Sequence, residues 1–457
     1  MRPAPCRWLP ATSSKSAFRA VAAGAIRRCA TGLRSKRIWW TVTSPKSLPW
    51  NITVSASVAA RQRQREESMQ YDNIIQPKDI DAEAFLEGII RWVKFETPSE
   101  RHDLIDIFYD HVEASFEGLP VERRRIPACE KGAGQLVLTY APEGSSGKPV
   151  ALLGHIDTVW TAGTLETMPV KREGDKVYGP GIFDMKAGSF LATETLRRIA
   201  SQGLVPPRPI VVYLNGDEET GSGASRATIE EIGSEAFFNL IPEPAFGDPG
   251  TLITARKGVA FFTFTAHGRS SHAGGNLSDG RSAIHELAHQ IVAIEAMNNN
   301  NEGSSFNVGT FQGGTRLNVV PAFATFGVDM RATCPESADR LLRELTTRKA
   351  VTPDVELEIT GELNRPVFAK TKQVARLYDA TKALGAALGL DLGETSRGGG
   401  SDGNFLAALG LPVLDGFGLN GAGAHAVHEH ILVSAIAPRA ALIHSMLMSK
   451  AFQDQAV

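Results

Sequence analysis

The chain has 457 residues, a formal charge of −2, 42% hydrophobic residues and four cysteines. This length predicts two to three domains, and no segment approaches the roughly 20 uncharged apolar residues that a membrane-spanning helix needs. The cysteines show no CxxC spacing, which argues against a disulfide framework or a thiolate zinc site.

Residues 1–68 differ in charge from the rest of the chain. They are rich in Arg and Lys and carry no acidic residue before Glu66, so the remainder is acidic. An acidic body does not suit a nucleic-acid binder, and we expect neither a nucleic-acid nor a membrane partner. We interpret residues 1–68 as upstream sequence before a true start at Met69, with an organellar leader as the alternative. We expect this stretch to be disordered and the protein to be cytoplasmic.

The first folded segment is predicted to begin near Ile80, where apolar residues recur at helical spacing. A second helix is expected over about 101–117. Strand candidates and a helix then alternate as QLVLTYA, PVALLGHID, a helix over 187–201, PIVVYLNGD and AFFNLIPEP. This alternation predicts an α/β fold with a mostly parallel, doubly wound sheet.

The pattern changes near Ala255. From there to VELEITGEL the order is strand, helix, strand, strand, helix, strand, and such a βαββαβ order predicts a small two-layer α+β unit. Because QVARLYDATKALGAALG and PVLDGFG resume the first pattern, we interpret residues 255–366 as an insertion. The main body then comprises residues 75–254 and 367–451.

Residues with carboxylate or imidazole side chains stand at the ends of several apolar segments. In LLGHIDT a strand would put His155 and Asp157 on the same side, so that Asp157 bonds one ring nitrogen while the other meets a metal. Asp184 follows the glycine-rich turn GPG, where one carboxylate has room to bridge two cations. A surface His–Asp pair and a helix N-cap at Asp184 are the competing interpretations.

Glu218 and Glu219 are predicted to end the strand candidate PIVVYLNGD. Adjacent side chains on an extended segment diverge, so one is free to ligate a metal while the other acts as a general base. A solvated acidic strand end is the alternative. Glu243 and His425 follow further apolar runs, and in open α/β sheets ligands gather at the carboxyl ends of the strands. Together these groups predict a site for two divalent metals and a metal-assisted hydrolase.

The series GHIDT, GPGIFDMKAG, DEETGS, EP, SSHAGG, LNVVP, DMRA, GGGSDG and GAHA resembles the M20 family of metallopeptidases, and its glutamate carboxypeptidase branch in particular. The resemblance runs from about residue 75 to the C terminus. It implies a two-zinc site in which one aspartate bridges both ions, with cobalt or manganese as alternative metals. The implied ligands are His155, Asp184, Glu219, Glu243 and His425. The nearby His428 and His430 are expected to be solvated.

The resemblance also implies roles for other residues. Glu218 is the general base that takes a proton from the attacking water, and Asp157 orients His155. The insertion is the family's lid and dimerisation domain, in which His272 helps to stabilise the oxyanion across a homodimer. Four further positions are implied as substrate contacts: Asn318, Arg331, Gly399 and Gly400.

The implied function is hydrolysis of an amide bond by an exo-acting enzyme. It releases a C-terminal amino acid, with glutamate as the first candidate, from a peptide or an N-acyl conjugate. Members with the same metal ligands include N-acyl amino acid deacylases and dipeptidases, and these are the alternatives.

Two motifs suggest other enzymes, and a further alternative is not an enzyme at all. Residues 285–289 match the HExxH pattern of zincins, although no third ligand follows downstream. Residues 399–403 match the GxSxG elbow of serine hydrolases, but GETSRGG before them is not a buried apolar strand. A protein that kept the fold and lost its metals would be a non-catalytic binding protein.

Overall fold

The computed structural model describes residues 71–457, except for 131, 248–249 and 299–301. Within these ranges the strands are β1 (Glu122–Ile126), β2 (Gln135–Tyr140), β3 (Val150–His155), β4 (Lys171–Glu173), β5 (Lys176–Tyr178), β6 (Ile210–Asn215), β7 (Phe238–Ile241), β8 (Leu252–Arg256), β9 (Gly258–His267), β10 (Ser305–Gly313), β11 (Phe323–Ala332), β12 (Glu356–Arg365), β13 (Glu394–Arg397), β14 (Val413–Asp415), β15 (Gly421–Ala422) and β16 (His430–Leu432). The interpretation of residues 1–68 falls outside the described residues.

The α-helices of the same ranges are α1 (Ala82–Val93), α2 (His102–Ala114), α3 (Thr164–Thr167), α4 (Ala187–Ser201), α5 (Arg226–Glu235), α6 (Ala283–Ala296), α7 (Pro335–Thr346), α8 (Lys372–Ala387), α9 (Gly403–Ala408), α10 (Ile436–Met448) and α11 (Lys450–Ala456). None of these described helices combines the length and the apolar character that crossing a membrane requires.

The main sheet has eight strands in the order β1-β2-β6-β3-β7-β14-β8-β13. The pairs β6/β3, β3/β7, β7/β14 and β8/β13 are parallel, whereas β1/β2 and β2/β6 are antiparallel. Every residue of β3 and β6 is buried, because helices such as α4 pack against these strands. The predicted α/β fold with a mostly parallel sheet is confirmed, and the sheet also has an antiparallel edge that we did not predict.

A second sheet has four antiparallel strands in the order β10-β11-β9-β12. Helices α6 and α7 contact it, and along β11 buried residues alternate with more exposed ones, so one face of the sheet is covered. The hydrophobic core of this unit is separate from that of the main sheet and includes Phe262, Phe264, Phe326, Val328 and Leu341. The chain order β9-α6-β10-β11-α7-β12 is the predicted βαββαβ order.

A third, small sheet brings the C-terminal loop beside the candidate site. Its order is β15-β16-β5-β4, and His430 of β16 pairs with Tyr178 of β5. None of its strands was predicted, because segments of two or three residues show no periodic pattern. The pairing holds residues 421–432 next to the segment that leads to Asp184.

Candidate metal centre and substrate cavity

His155 is the last residue of β3, a central strand of the main sheet, and its ring is buried. Its Nδ1 lies 3.3 Å from Oδ1 of Asp157 and 3.1 Å from the Asp157 backbone oxygen. Its buried Nε2 has no hydrogen-bond partner among the described residues, and lies 3.3 Å from Oδ1 of Asp184 and 3.7 Å from Oε1 of Glu243. Asp157 thus holds one ring nitrogen and leaves the other facing two carboxylates.

Asp184 lies in the turn Ile182–Lys186 that leads into α4, and its peptide bond to Met185 is cis. Its Oδ1 faces His155, whereas its Oδ2 lies 3.4 Å from Nε2 of His425. Because each oxygen faces a different imidazole, the carboxylate has the placement of a bridge between two cations. The N-cap interpretation is wrong, since no side chain caps the first turn of α4.

Glu218 and Glu219 lie beyond the end of β6, in the short turn Glu218–Thr220. The sequence predicts them at the end of the strand itself, but β6 stops at Asn215. The backbone N–H groups of Glu218 and Glu219 donate to the Asp157 carboxylate at 3.2 and 3.1 Å, and the Ser99 hydroxyl donates to it at 2.7 Å. Asp157 therefore fixes this turn as well as the imidazole.

The two glutamate side chains diverge as predicted. Oε2 of Glu219 lies 3.2 Å from Nε2 of His425, whereas Oε1 of Glu218 accepts a hydrogen bond of 2.9 Å from Arg365. Within the part of the chain that the structure describes, His155, Asp184 and Glu219 form a group whose ligand atoms all lie within 4.8 Å of one another. The structure thus brings all five sequence-predicted metal ligands together, with Glu218 beside them.

The electrostatics of this group fit a divalent metal. Burial raises the pKa of Glu219 to about 7, and burial also raises the pKa values of Glu218 and Glu243, with the nearby charge of Asp184 adding to the effect. Hydrogen bonds to Asp184 and Glu219 raise the pKa of His425 to about 10. Crowded, buried carboxylates facing an unpartnered imidazole nitrogen are a donor set that Zn²⁺ accepts, and a bound cation would offset their mutual repulsion.

A cavity of about 430 Å³ opens beside these groups. Gly399 and Gly400 line it, and their backbone oxygens accept hydrogen bonds of 3.1 and 3.2 Å from Arg256. Arg331 also lines it, half-buried, with its guanidinium bound to both oxygens of Asp329 at 2.7 Å. Three of the four implied substrate contacts therefore border the cavity.

His272 and the fourth implied contact, Asn318, do not line this cavity. Both are exposed on the second sheet unit, where the backbone N–H of Ala273 donates to the backbone oxygen of Asn318 at 3.0 Å. Nδ1 of His272 accepts from the N–H groups of Gly274 and Gly275, each at 3.1 Å, so the neutral ring carries its proton on Nε2. The structure thus places His272 and Asn318 beside each other, and neither belongs to the lining of the cavity.

Two buried arginines at the site were not predicted. Arg365 donates to Glu218, and Arg256 binds both oxygens of Asp415 at 2.6 and 2.9 Å while lying 3.6 Å from Glu243. Nothing in the motifs ARKG or NRPVF points to these contacts, because both partners are distant in sequence. The one signal in the sequence was that each arginine lies next to a predicted strand.

Glu429 is a further residue that the sequence analysis missed. Its carboxylate is fully buried, and Oε1 accepts from the backbone N–H groups of Phe183 and Asp184 at 2.9 and 3.1 Å. Oε2 accepts from the Gly181 N–H at 2.9 Å and the Trp160 indole at 2.8 Å. One carboxylate therefore ties the His425 loop to the turn that carries Asp184. It lies within GAHAVHEH, in which the histidines give the sequence signal and the glutamate gives none.

His428 is exposed as expected, but the expectation for His430 is wrong. His430 is buried, its Nδ1 lies 2.9 Å from the His428 backbone oxygen, and its ring packs against Tyr178 at 5.1 Å between ring centres. The pairing of β16 with β5 covers this side chain.

The HExxH motif lacks the free glutamate base that a zincin needs. His285 and His289 are exposed on α6, with their Nε2 atoms 3.3 Å apart. Glu286, which would be the base, is buried and accepts from the backbone N–H groups of Val351 and Thr352 at 3.0 and 2.6 Å. This glutamate anchors the loop after α7 and is not available to a substrate.

The GxSxG motif also lacks a reactive nucleophile. Ser401 is fully buried, and its hydroxyl donates to Asp415 at 2.6 Å. The preceding β13 is a polar strand at the edge of the sheet, in agreement with the objection drawn from the sequence. Neither motif supports a rival active site.

The chain is similar in sequence to a known protein family and to characterised proteins. The sequence profile of peptidase family M20/M25/M40 matches residues 151–449. The chain is 29% identical over 385 residues to carboxypeptidase G2 of Pseudomonas sp. (strain RS-16), covering 82% of this chain and 92% of that one. It is 27% identical over 316 residues to succinyl-diaminopimelate desuccinylase of Delftia acidovorans, covering 65% and 80%.

Two solved structures share the fold. Aminopeptidase PepT from Bacillus cereus superposes with a TM-score of 0.65 and 19% identity, over 80% of this chain and 98% of that one. An M20 family metallo-carboxypeptidase from Sulfolobus solfataricus superposes with a TM-score of 0.61 and 16% identity, over 81% and 99%.

Proposed function

The chain belongs to peptidase family M20/M25/M40 and is a metal-dependent hydrolase, and we propose that it is an exo-acting amide hydrolase. Its substrate is a short peptide or an N-acyl amino acid. The enzyme releases the C-terminal amino acid, for which glutamate is the first candidate.

One observation carries this proposal. The two oxygens of Asp184 face the imidazoles of His155 and His425 at 3.3 and 3.4 Å, at the edge of an open cavity. That arrangement suits a pair of divalent cations, with Glu243 completing the His155 side and Glu219 the His425 side. Zinc is the first candidate, and cobalt and manganese are alternatives, because mixed nitrogen and oxygen sites discriminate weakly among these metals. When bound, such ions polarise an amide carbonyl and lower the pKa of a water.

Glu218 is the proposed general base. Burial raises its pKa, and Arg365 holds its Oε1 at 2.9 Å, so the carboxylate is fixed at the cavity wall beside the metal ligands. A base whose pKa lies nearer neutrality both accepts and returns a proton efficiently. Glu218 takes a proton from the attacking water and delivers it to the nitrogen of the leaving amino acid.

The cavity favours an anionic substrate. Arg256, Arg331, Arg365 and Arg397 line it together with the carboxylates of the candidate metal site. Arg331, Gly399 and Gly400 are proposed to contact the terminal carboxylate of the substrate, because a guanidinium matches a carboxylate in a two-pronged geometry. The name carboxypeptidase G2 agrees with a substrate that has a terminal carboxylate, and the name succinyl-diaminopimelate desuccinylase agrees with a succinylated substrate.

A homodimer is also proposed, with the unit built on β9–β12 as lid and dimerisation domain. His272 is exposed, uses Nδ1 as an acceptor so that Nε2 is the donor of the neutral ring, and does not line the cavity of its own chain. In the dimer it donates a hydrogen bond to the oxyanion in the partner's site, with Asn318 beside it. We propose neither a nucleic acid nor a membrane as a partner of this protein.

The proposed activity is tested with a panel of N-acyl amino acids and folate-type conjugates, assayed on protein whose metal content is measured by elemental analysis. We expect about two metal ions per chain, loss of activity with a chelator and recovery with Zn²⁺. Hydrolysis that persists in metal-free protein, or a preference for internal peptide bonds, would overturn the proposal.

The shared site is tested by mixing two inactive variants, Glu218→Gln and His272→Ala. A random mixture contains half hybrid dimers, each with one intact site of two, so about a quarter of wild-type activity is expected. If His272 acts within its own chain, or only in folding, the mixture stays inactive.

A further inference from the structure

The four arginines that line the cavity differ in their partners. Arg256 binds Asp415, Arg331 binds Asp329 and Arg365 binds Glu218, each through contacts of 2.6–2.9 Å. These ion pairs neutralise three of the four cations. Arg397 is the exception, because none of the described residues accepts a hydrogen bond or ion pair from its side chain.

Arg397 is the last residue of β13, and its backbone oxygen accepts from Lys257 at 3.0 Å, so its position is fixed by the sheet. Its guanidinium carbon lies 3.6 Å from the centre of the Phe246 ring. Phe246 packs edge-on against buried Phe183, within the turn that carries Asp184. The stacked pair is therefore anchored on two sides.

No acidic residue among the described ones forms an ion pair with Arg397. Its guanidinium is half-buried, and burial together with repulsion from Arg256 lowers its pKa. A stacked guanidinium keeps the N–H groups of its edge available, because the ring occupies only its face. An arginine held in this way, beside a cavity and without an acid, provides a site for an incoming anion.

We propose that Arg397 and Phe246 form an anion subsite that binds a second carboxylate of the substrate, separate from the terminal carboxylate at Arg331. This inference rests on the proposed amide hydrolase activity and names its substrate class as dicarboxylates. The second carboxylate has two possible sources, the side chain of the released amino acid or the acyl group. In both cases Arg397 determines specificity and takes no part in bond breaking.

The test compares each acid with its uncharged isostere. N-acetylglutamate against N-acetylglutamine probes the side chain, and N-succinylalanine against N-succinamoylalanine probes the acyl group. Each pair is assayed with wild type, Arg397→Gln, Arg397→Lys and the control Arg376→Gln, which alters an exposed arginine on α8.

We expect wild type to prefer the acid of one pair, and that pair identifies the source. Arg397→Gln should lower kcat/KM for this acid by about 10- to 100-fold, mainly through KM, because one charge-assisted contact is lost. The amide isostere should change less than about threefold, and Arg397→Lys should restore part of the preference. Arg376→Gln should behave as wild type.

Failure of the inference is distinguishable from failure of the proposed function. If wild type hydrolyses these compounds and Arg397→Gln leaves both acid-to-amide ratios unchanged, the subsite is wrong and the hydrolase activity stands. If the metal-loaded wild type hydrolyses no amide, both are wrong. An equal loss on acid and amide would assign Arg397 a structural role.

Discussion

Glu429→Gln is predicted to loosen the metal centre without touching a metal ligand. The carboxylate accepts four hydrogen bonds of 2.8–3.1 Å, three of them from the backbone of the turn containing Asp184. An amide of the same size has one oxygen and one NH₂ group, and the NH₂ group cannot accept. Whichever way it is oriented, two N–H groups lose their acceptor and face a donor.

The size of the effect follows from these contacts. Hydrogen bonds to a charged group contribute about 1.5–3 kcal/mol each, so losing two costs about 3–6 kcal/mol in total. Part of this loss appears as lower stability, and part as displacement of Asp184 from His155 and His425. Loss of groups that orient metal ligands typically lowers metal affinity by about 10- to 100-fold.

The assay is competition for Zn²⁺ against a chromophoric chelator, with thermal unfolding measured on the same samples. His428→Ala is the matched control, because this neighbour is exposed and none of the described residues forms a hydrogen bond or ion pair with its side chain. We expect weaker metal binding and a lower Tm for Glu429→Gln alone. A variant with wild-type metal affinity would refute the positioning role, even if its Tm fell.

Glu218→Gln should lower kcat by about 10²–10⁴ while metal content stays unchanged, because it removes the base and no ligand; a kcat within a few fold of wild type would assign the base elsewhere. Alanine at His285 and His289 should leave kcat/KM within about twofold, and a large loss would revive the zincin interpretation. Burial lowers the pKa of His444 to about 4 from an ordinary 6.5. Between these values the unfolded chain binds a proton that the folded chain does not, so the free energy of unfolding should fall by up to about 3 kcal/mol as pH drops from 6.5 to 4. His444→Gln should flatten that decline in urea titrations, and an unchanged slope would contradict the assignment.

Prediction from the sequence succeeded where a signal is local. The helix at 187–201 was placed at its observed bounds, and the βαββαβ order was read from periodicity alone. His155, Glu219 and Glu243 were found because they follow apolar runs, and parallel strands bring their carboxyl ends to one edge. Asp184 was found from the glycine-rich turn before it. Short strands such as β4 and β15 escaped, because two or three residues carry no period.

The roles of charged side chains that face one another across the fold were decided only by tertiary structure. Arg365 finds Glu218, and Glu429 finds the turn at Asp184, over sequence separations of 147 and 245 residues. No spacing rule connects such positions. Folding also decides which side chains are buried. Glu429 is buried and anchors the turn at Asp184, and His430, which was expected to be solvated, is packed in the interior. The sequence by itself determined which chemical groups are available and at which strand ends they lie. The tertiary structure decided which of them are paired, and among the described residues the pairing leaves Arg397 as the cavity arginine without an acidic partner.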